Sequence, residues 1–191
     1  MSVTDRPYGR FYSLDGVLLN CCPLAFGVME IRVEHTTDKE AIFALTTAAF
    51  KDMPFSDQRE AAIVDALREQ QALTLSLVAL EEDTIVGHVA FSPVAIEGED
   101  VDWYALGPVS VWPERQGRGI GQALIRDGLE RLKNLGAKGC VLVGDPNYYS
   151  RFGFENDPRL TYSPVPAQYM QRLVFVPPAP QGEVQFHPAF G

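Results

Sequence analysis

The chain is short of positive charge: 16 lysines and arginines stand against 25 aspartates and glutamates in 191 residues, a formal charge of −9. A reader of the DNA or RNA backbone needs a basic face, so nucleic acid is not an expected partner. An acidic balance mildly favours a cationic substrate, although a solvated acidic surface gives the same number. Cysteine is scarce too. Cys21, Cys22 and Cys140 form neither a disulfide framework nor a metal-ligand spacing, so no metal is expected and a reducing, cytoplasmic setting is the default. Cys140 lies in an apolar run without an activating base nearby, which reads as a small core residue rather than an acyl-accepting nucleophile. Long apolar runs are missing as well. Val17–Leu19 and Leu24–Phe26 are separated by Asn20, two cysteines and Pro23, too broken to span a bilayer, so no membrane partner is expected. There are no internal repeats and no low-complexity segments.

What is present suits one domain with a sizeable core. Residues 1–28 are expected to lie outside the fold, as an extension or an upstream start; Asp5 beside Arg6 and Arg10, and the lack of an A-x-A site, make a poor signal peptide. Residues 29–191 are expected to form the domain, opening on a strand at Glu30–Glu34. Thr37-Asp38-Lys39-Glu40 reads as a capping box, before a helix with Ile42, Leu45 and Ala49 on one face. Lys51–Phe55 break it, and a second helix starts near Ser56 or Asp57 with Ile63, Val64 and Leu67 inward. Leu73–Glu81, Ile85–Ile96 and Val101–Val111 read as strands. The spacing then predicts a helix over 118–135, striped by Leu124, Ile125, Gly128, Leu129, Leu132 and Leu135 and ended by Gly136. A buried strand at 138–144 follows, and the proline-rich remainder is expected to hold short strands near Leu173–Val176 and Val184–Phe186. The fold class is mixed α/β, a twisted sheet of about six to seven strands flanked by helices.

The most informative residues join the third of those long strands to the third helix: Gln116-Gly117-Arg118-Gly119-Ile120-Gly121. Glycines there leave no Cβ between a ligand and the backbone. The first amides of a helix lack intrahelical partners and carry the positive end of the helix dipole, so a phosphate or pyrophosphate suits the place. No P-loop string G-x-x-x-x-G-K-[ST] exists in the chain. Gly117 and Gly119 begin a dinucleotide pattern, but Gln122 stands where its third glycine belongs. Gln116, Gly119 and Gly121 match [Q/R]-x-x-G-x-[G/A] outright. Downstream, after the 138–144 run, comes Tyr149-x-Arg151-x-Gly153-Phe154.

The two motifs, in this order and spacing, resemble the acetyl-CoA signature and the Y-x-[K/R]-x-G-F element of the GCN5-related N-acetyltransferases, the GNAT family. The stretch Leu106–Phe154 and the tail Gly182–Phe190 are similar to a bacterial, YhbS-like subgroup of that family. The resemblance implies a sheet whose central strands splay apart around acetyl-CoA, the acyl donor. Gly107-Pro108 inside the fourth strand supplies a reason for splaying, because proline cannot donate a ladder hydrogen bond. Backbone groups left unpaired at Val109 and Val111 would meet the pantetheine amides, and the pyrophosphate would rest on Gly117, Arg118, Gly119, Ile120, Gly121 and Gln122 beside Gln116, with Arg115 and Arg118 near the phosphates. Tyr149 matches the tyrosine that gives a proton to the departing thiolate, with Tyr148 as the fallback.

The implied reaction is transfer of an acetyl group to an amine of a small molecule or a protein, by direct attack in a ternary complex, in a monomer or homodimer. No base stands out. Asp102, Asp145 or a water chain are the options, and His88 and His187 read as local hydrogen-bonding residues. Substrate contacts are expected from Lys51–Phe55 and Asn156–Tyr169, with Tyr162 and Tyr169, and Trp103 and Tyr104 offer either an aromatic wall or core packing. The missing base leaves open a non-catalytic acyl-CoA-binding or sensing module on the same fold. A Rossmann-type dinucleotide protein ranks third.

Overall fold

Strand propensity and two tight turns build the centre of the molecule. In the computed structural model, which describes residues 29–191 except Phe55, β2 (Leu75–Glu81), β3 (Thr84–Ile96) and β4 (Glu99–Val111) form an antiparallel meander. Glu82 and Asp83 turn the first hairpin with both φ positive, as do Glu97 and Gly98 the second. Two consecutive left-handed residues match the twist of the flanking strands. Around this meander stand β1 (Glu30–Val33), β5 (Gly139–Val143), β6 (Leu160–Thr161), β7 (Met170–Val174) and β8 (Gly182–Gln185). The order is β1-β2-β3-β4-β5-β7, with β8 pairing both β3 and β6. Only the β4–β5 and β6–β8 pairings are parallel among the described residues. The sheet thus has eight strands rather than six to seven. The extra one, β6, is two residues long and carries no alternation for a sequence reading to detect.

Among the described residues there are four α-helices: α1 (Lys39–Phe50), α2 (Glu60–Glu69), α3 (Ile120–Asn134) and the single turn α4 (Pro146–Tyr149). Helix α3 buries Ile120, Leu124, Ile125, Gly128, Leu129 and Leu132 against Leu77, Val89 and Phe91. Truncating a fully buried residue such as Leu124 to Ala would cost about 2–5 kcal/mol. Two glycines set how closely the helix approaches. A Cβ on Gly128 would stand 2.3 Å from Phe91, and one on Gly87 would stand 2.8 Å from Ile120. Leu135 is not part of the stripe. The helix ends before it, Gly136 turns the chain at φ +89°, and Leu135 is left 62% exposed.

Helices α1 and α2 cover the other face of the sheet over Val78 and Leu80, with Ile42 and Val64 between. The helix starts differ from expectation. Asp38, rather than Thr37 and Glu40, organises the entry to α1: its carboxylate accepts from the His35 N–H at 2.7 Å and from Arg32 at 2.6 Å. Arg32 draws the aspartate inward, a pairing across sequence that no local pattern contains. Helix α2 begins at Glu60, later than Ser56 or Asp57. A polar thread runs through this layer. Ser76 Oγ lies 2.8 Å from His88 Nε2 and 2.5 Å from Glu34, and Arg68 closes on Glu34 at 2.7 Å. The expected extension 1–28, with Cys21 and Cys22, lies outside the described residues. Among those that are described, no helix is long and apolar enough to cross a membrane.

Candidate active site

Strands β4 and β5 part company halfway along. Their register runs from Trp103 with Gly139 through Tyr104 with Cys140 to Ala105 with Val141, and stops there. Gly107-Pro108 follows immediately on β4, and the β3–β4 register shifts at the same place, between Val89 and Phe91. Pro108 has no N–H to give, and the bulge turns the strand away from β5. Beyond it, β4 stays bonded to β3 on one edge only. Trp112 N–H donates to Val86 O at 3.2 Å. Because successive peptide groups of a strand point to alternate edges, those of Val109 and Val111 face the gap. The Gln116 side chain already reaches one of them, donating to Val111 O at 3.1 Å.

The glycine link turns from β4 into α3 along this gap. Gly117 and Gly119 have φ of +75° and +84°, and a Cβ on either would meet nothing within 4 Å. Backbone conformation, not crowding, requires glycine there, and the space beyond is open. Gly119 is the N-cap, so no side chain closes the first turn of α3, and the amides of Ile120, Gly121 and Gln122 are left for an external acceptor. A cleft of about 520 Å³ connects this turn with the gap. Val109, Val111, Arg115, Gln116, Gly117, Gly119, Ile120, Gly121 and Gln122 all line it, as do Phe50 and Met53 at the end of α1. Arg118 is exposed on the link and does not line the cleft. Arg115 does, while bound to Glu81 at 2.7 Å.

The opposite wall carries Tyr148 and Tyr149. Asp145 caps their short helix by accepting from the Asn147 N–H at 2.9 Å, and the two rings meet edge to face at 5.0 Å. Tyr149 also packs on Phe154 at 6.1 Å. Burial, with the neighbouring Tyr148 adding to it, pushes the Tyr149 phenol up to about 12, so it keeps its proton at neutral pH. Burial also raises the Tyr148 phenol, and Arg151, 4.6 Å above its ring, opposes that. One residue in this wall went unread in the sequence. Gly144 lies under Tyr149, and a Cβ there would stand 2.4 Å from the ring. The close approach is a packing contact between residues five apart, and the sequence motif, which begins at Tyr149, does not include it.

The remaining candidates are dispersed. Asp102 lies at the far end of β4, paired with Lys138 at 2.8 Å, and does not line the cleft. His88 is fully buried, and desolvation holds its imidazole neutral, down to about 4, with Glu34 only partly offsetting. His187 accepts from the Ala189 N–H. Cys140 is fully buried, and burial pushes its thiol far up, as suits a core residue. Trp103 is buried in the core, and Tyr162 stacks on Phe186 at 4.6 Å. Asp145 is the one carboxylate among the described residues that line the cleft. No group of three potential metal ligands comes together among the described residues.

A sheet that parts at its middle, with a glycine-capped helix aimed at the opening, is the architecture of an acyltransferase fold. The family model described as "Acetyltransferase (GNAT) domain" matches residues 30–156. The chain belongs to the GNAT family and is an N-acetyltransferase by class. Among individual relatives, it is 41% identical over 128 residues to the N-acetyltransferase YhbS of Escherichia coli K12, covering 66% of this chain and 74% of the relative. It is 36% identical over 125 residues to the N-acetyltransferase YjhQ of the same organism, covering 63% and 68%. Two solved structures superpose closely. One is a GNAT acetyltransferase from Brucella melitensis in complex with acetyl-CoA, with a TM-score of 0.78 and 52% identity over 85% of this chain and 98% of that one. The other is Escherichia coli YhbS in complex with CoA, with a TM-score of 0.76 and 35% identity over 85% and 91%.

Proposed function

We propose that this chain takes acetyl-CoA as donor and transfers the acetyl group to an amine of a small molecule or protein, by direct attack in a ternary complex. The observation that carries the reading is the continuity of the cleft. It joins unpartnered amides at the start of α3 to the unpaired edge of β4 and ends against Tyr149. An anion at one end, an amide-bearing arm along a strand edge and a thioester beside a protonated phenol are the demands of acetyl-CoA. The acetyl-CoA and CoA complexes of the two similar structures support the same donor.

In this reading the first-turn amides of Ile120, Gly121 and Gln122, with the Gly117–Gly119 backbone, hold the pyrophosphate, and Arg115 and Arg118 add charge at the mouth. Val109 and Val111 pair with the pantetheine amides. Tyr149 donates to the sulfur as the C–S bond breaks. The test is calorimetric titration with acetyl-CoA, then Tyr149→Phe. Tight binding is expected in both proteins, with turnover lowered roughly 100- to 10,000-fold in the variant. Wild-type turnover in Tyr149→Phe removes the tyrosine from the mechanism, and absence of acetyl-CoA binding removes the whole reading.

A further inference from the structure

One of the cations at the cleft already has a partner. Arg115 lines the cleft, yet its Nη1 donates to Glu81 Oε2 at 2.7 Å. Glu81 is 34 residues away in sequence and does not line the cleft. The fold brings the two together. Glu81 ends β2, opposite Thr84 across the hairpin turn at Glu82 and Asp83. Trp112 fastens the start of the glycine link to that same hairpin, its indole N–H donating to Ile85 O at 3.0 Å and its backbone N–H to Val86 O at 3.2 Å. Arg115 follows in the 3₁₀ turn Pro113–Arg115, and its N–H closes the turn on Trp112 O at 2.8 Å. Backbone contacts therefore set both ends of the ion pair before the side chains meet.

The lining of the cleft has two cations, Arg115 and Arg151, and Arg151 lies over the Tyr148 ring. An anion at the first turn of α3 draws on Arg115 as the nearer in sequence to the glycine link. A guanidinium carries five donors, and Nη1 is the one guanidinium nitrogen of Arg115 with a partner among the described residues. A phosphate approaching it competes with the Glu81 carboxylate for the same charge and is repelled by that carboxylate. The paired side chains are 40% and 25% exposed. An ion pair so wet is weak enough to be exchanged and strong enough to be felt in an affinity.

We propose that Glu81 sets the affinity of the cleft for the donor: Arg115 exchanges its Glu81 partner for a donor phosphate when acetyl-CoA binds, and the lost ion pair loosens the complex. The proposal rests on the acetyl-CoA reading above. Acetyl-CoA and CoA carry the same phosphates, so the loosening applies to both by one factor. Attraction to the phosphates is uniform binding, which does not favour the transition state over the bound donor. Giving part of it up spares the chemical step and eases release of CoA. Glu81 acts through Arg115 and is a positioning residue.

The test is calorimetric titration of acetyl-CoA and of CoA into wild type, Glu81→Gln, Arg115→Met and the double variant, at an ionic strength where the screening length is about 8 Å. Glu81→Gln keeps the shape of the side chain and removes its charge, and loss of so exposed a pair leaves the chain folded. We expect Kd to fall about 3- to 5-fold for both ligands in Glu81→Gln, the factor that an exposed ion pair supplies. The same change in the Arg115→Met background should give less than about 2-fold, the remainder being screened repulsion. Unchanged or weaker binding in Glu81→Gln overturns the proposal. So does an equal gain with and without Arg115, or a gain for acetyl-CoA that CoA does not share. Any of those results with a wild type that binds acetyl-CoA sinks the Glu81 assignment alone, whereas a wild type that binds neither ligand sinks the donor reading and this proposal with it.

Discussion

A single methyl group placed on Gly144 should disable catalysis while leaving the donor bound. The Cβ of Gly144→Ala would stand 2.4 Å from Cε2 and 2.9 Å from Cδ2 of Tyr149. Return to ordinary carbon contact requires the ring to move by about 1 Å, against Phe154 and Tyr148 on its other sides. The overpacking would cost about 1–3 kcal/mol of stability, and a displacement of that size at a reacting group costs roughly 100-fold in rate. Donor affinity should change little, because Gly144 does not line the cleft. The assay combines thiol-release kinetics with acetyl-CoA calorimetry in four proteins: wild type, Gly144→Ala, Tyr149→Phe and the double variant. If the methyl acts through the phenol, the double variant is no slower than Tyr149→Phe alone, since there is no hydroxyl left to misplace. Full kcat in Gly144→Ala, or losses that multiply in the double variant, would falsify the argument.

Three further outcomes follow from the same geometry. At Gly121, a Cβ finds ordinary contacts of 3.6 Å to Val111 and 3.7 Å to the Tyr148 hydroxyl, so Gly121→Ala should keep acetyl-CoA binding while Gly121→Leu fills the cleft and abolishes it; equal isotherms for the two would contradict the placement. His88 is neutral in the fold down to about 4, against about 6.5 unfolded. In that window the unfolded chain binds the extra proton, so stability is full above pH 6.5 and is lost as pH falls toward 4, by about 3 kcal/mol; denaturant midpoints in His88→Gln should lose that pH slope. Arg68 and Glu34 are 12% and 13% exposed and paired at 2.7 Å, so Arg68→Ala, which strands the carboxylate, should cost about 3–5 kcal/mol in chemical denaturation.

Local chemistry accounts for the parts of the fold that were legible. The glycine link at 117–121, the helix after it and the apolar strand at 139–143 each rest on neighbours in sequence: periodicity, left-handed glycines and a run of branched residues. So does the strand parting, because a proline at 108 lacks its N–H wherever the chain carries it. The motif around Tyr149 marked a stretch whose Tyr148 and Tyr149 both line the cleft. What went unread depends on partners distant along the chain. Asp38 displaced the expected cap because Arg32 reaches it, and β6 exists only because β8 lies beside it. Asp102 stands beside Lys138 and away from the cleft, a placement that depends on how β4 and β5 pair.

The sequence by itself determined the local geometry on which the proposed donor site rests. Glycine φ values, a helix N-terminus and a missing proline amide are properties of a few consecutive residues, and together they specify where an anion and an amide-bearing arm can lie. The tertiary structure alone decided the rest. It set Gly144 beneath Tyr149, tied Arg115 to Glu81, and brought Phe50 and Met53 from the end of α1 to the cleft that Tyr148 and Tyr149 wall. Contacts of that kind arise from packing across the sheet, and packing sums over residues that no local window holds together.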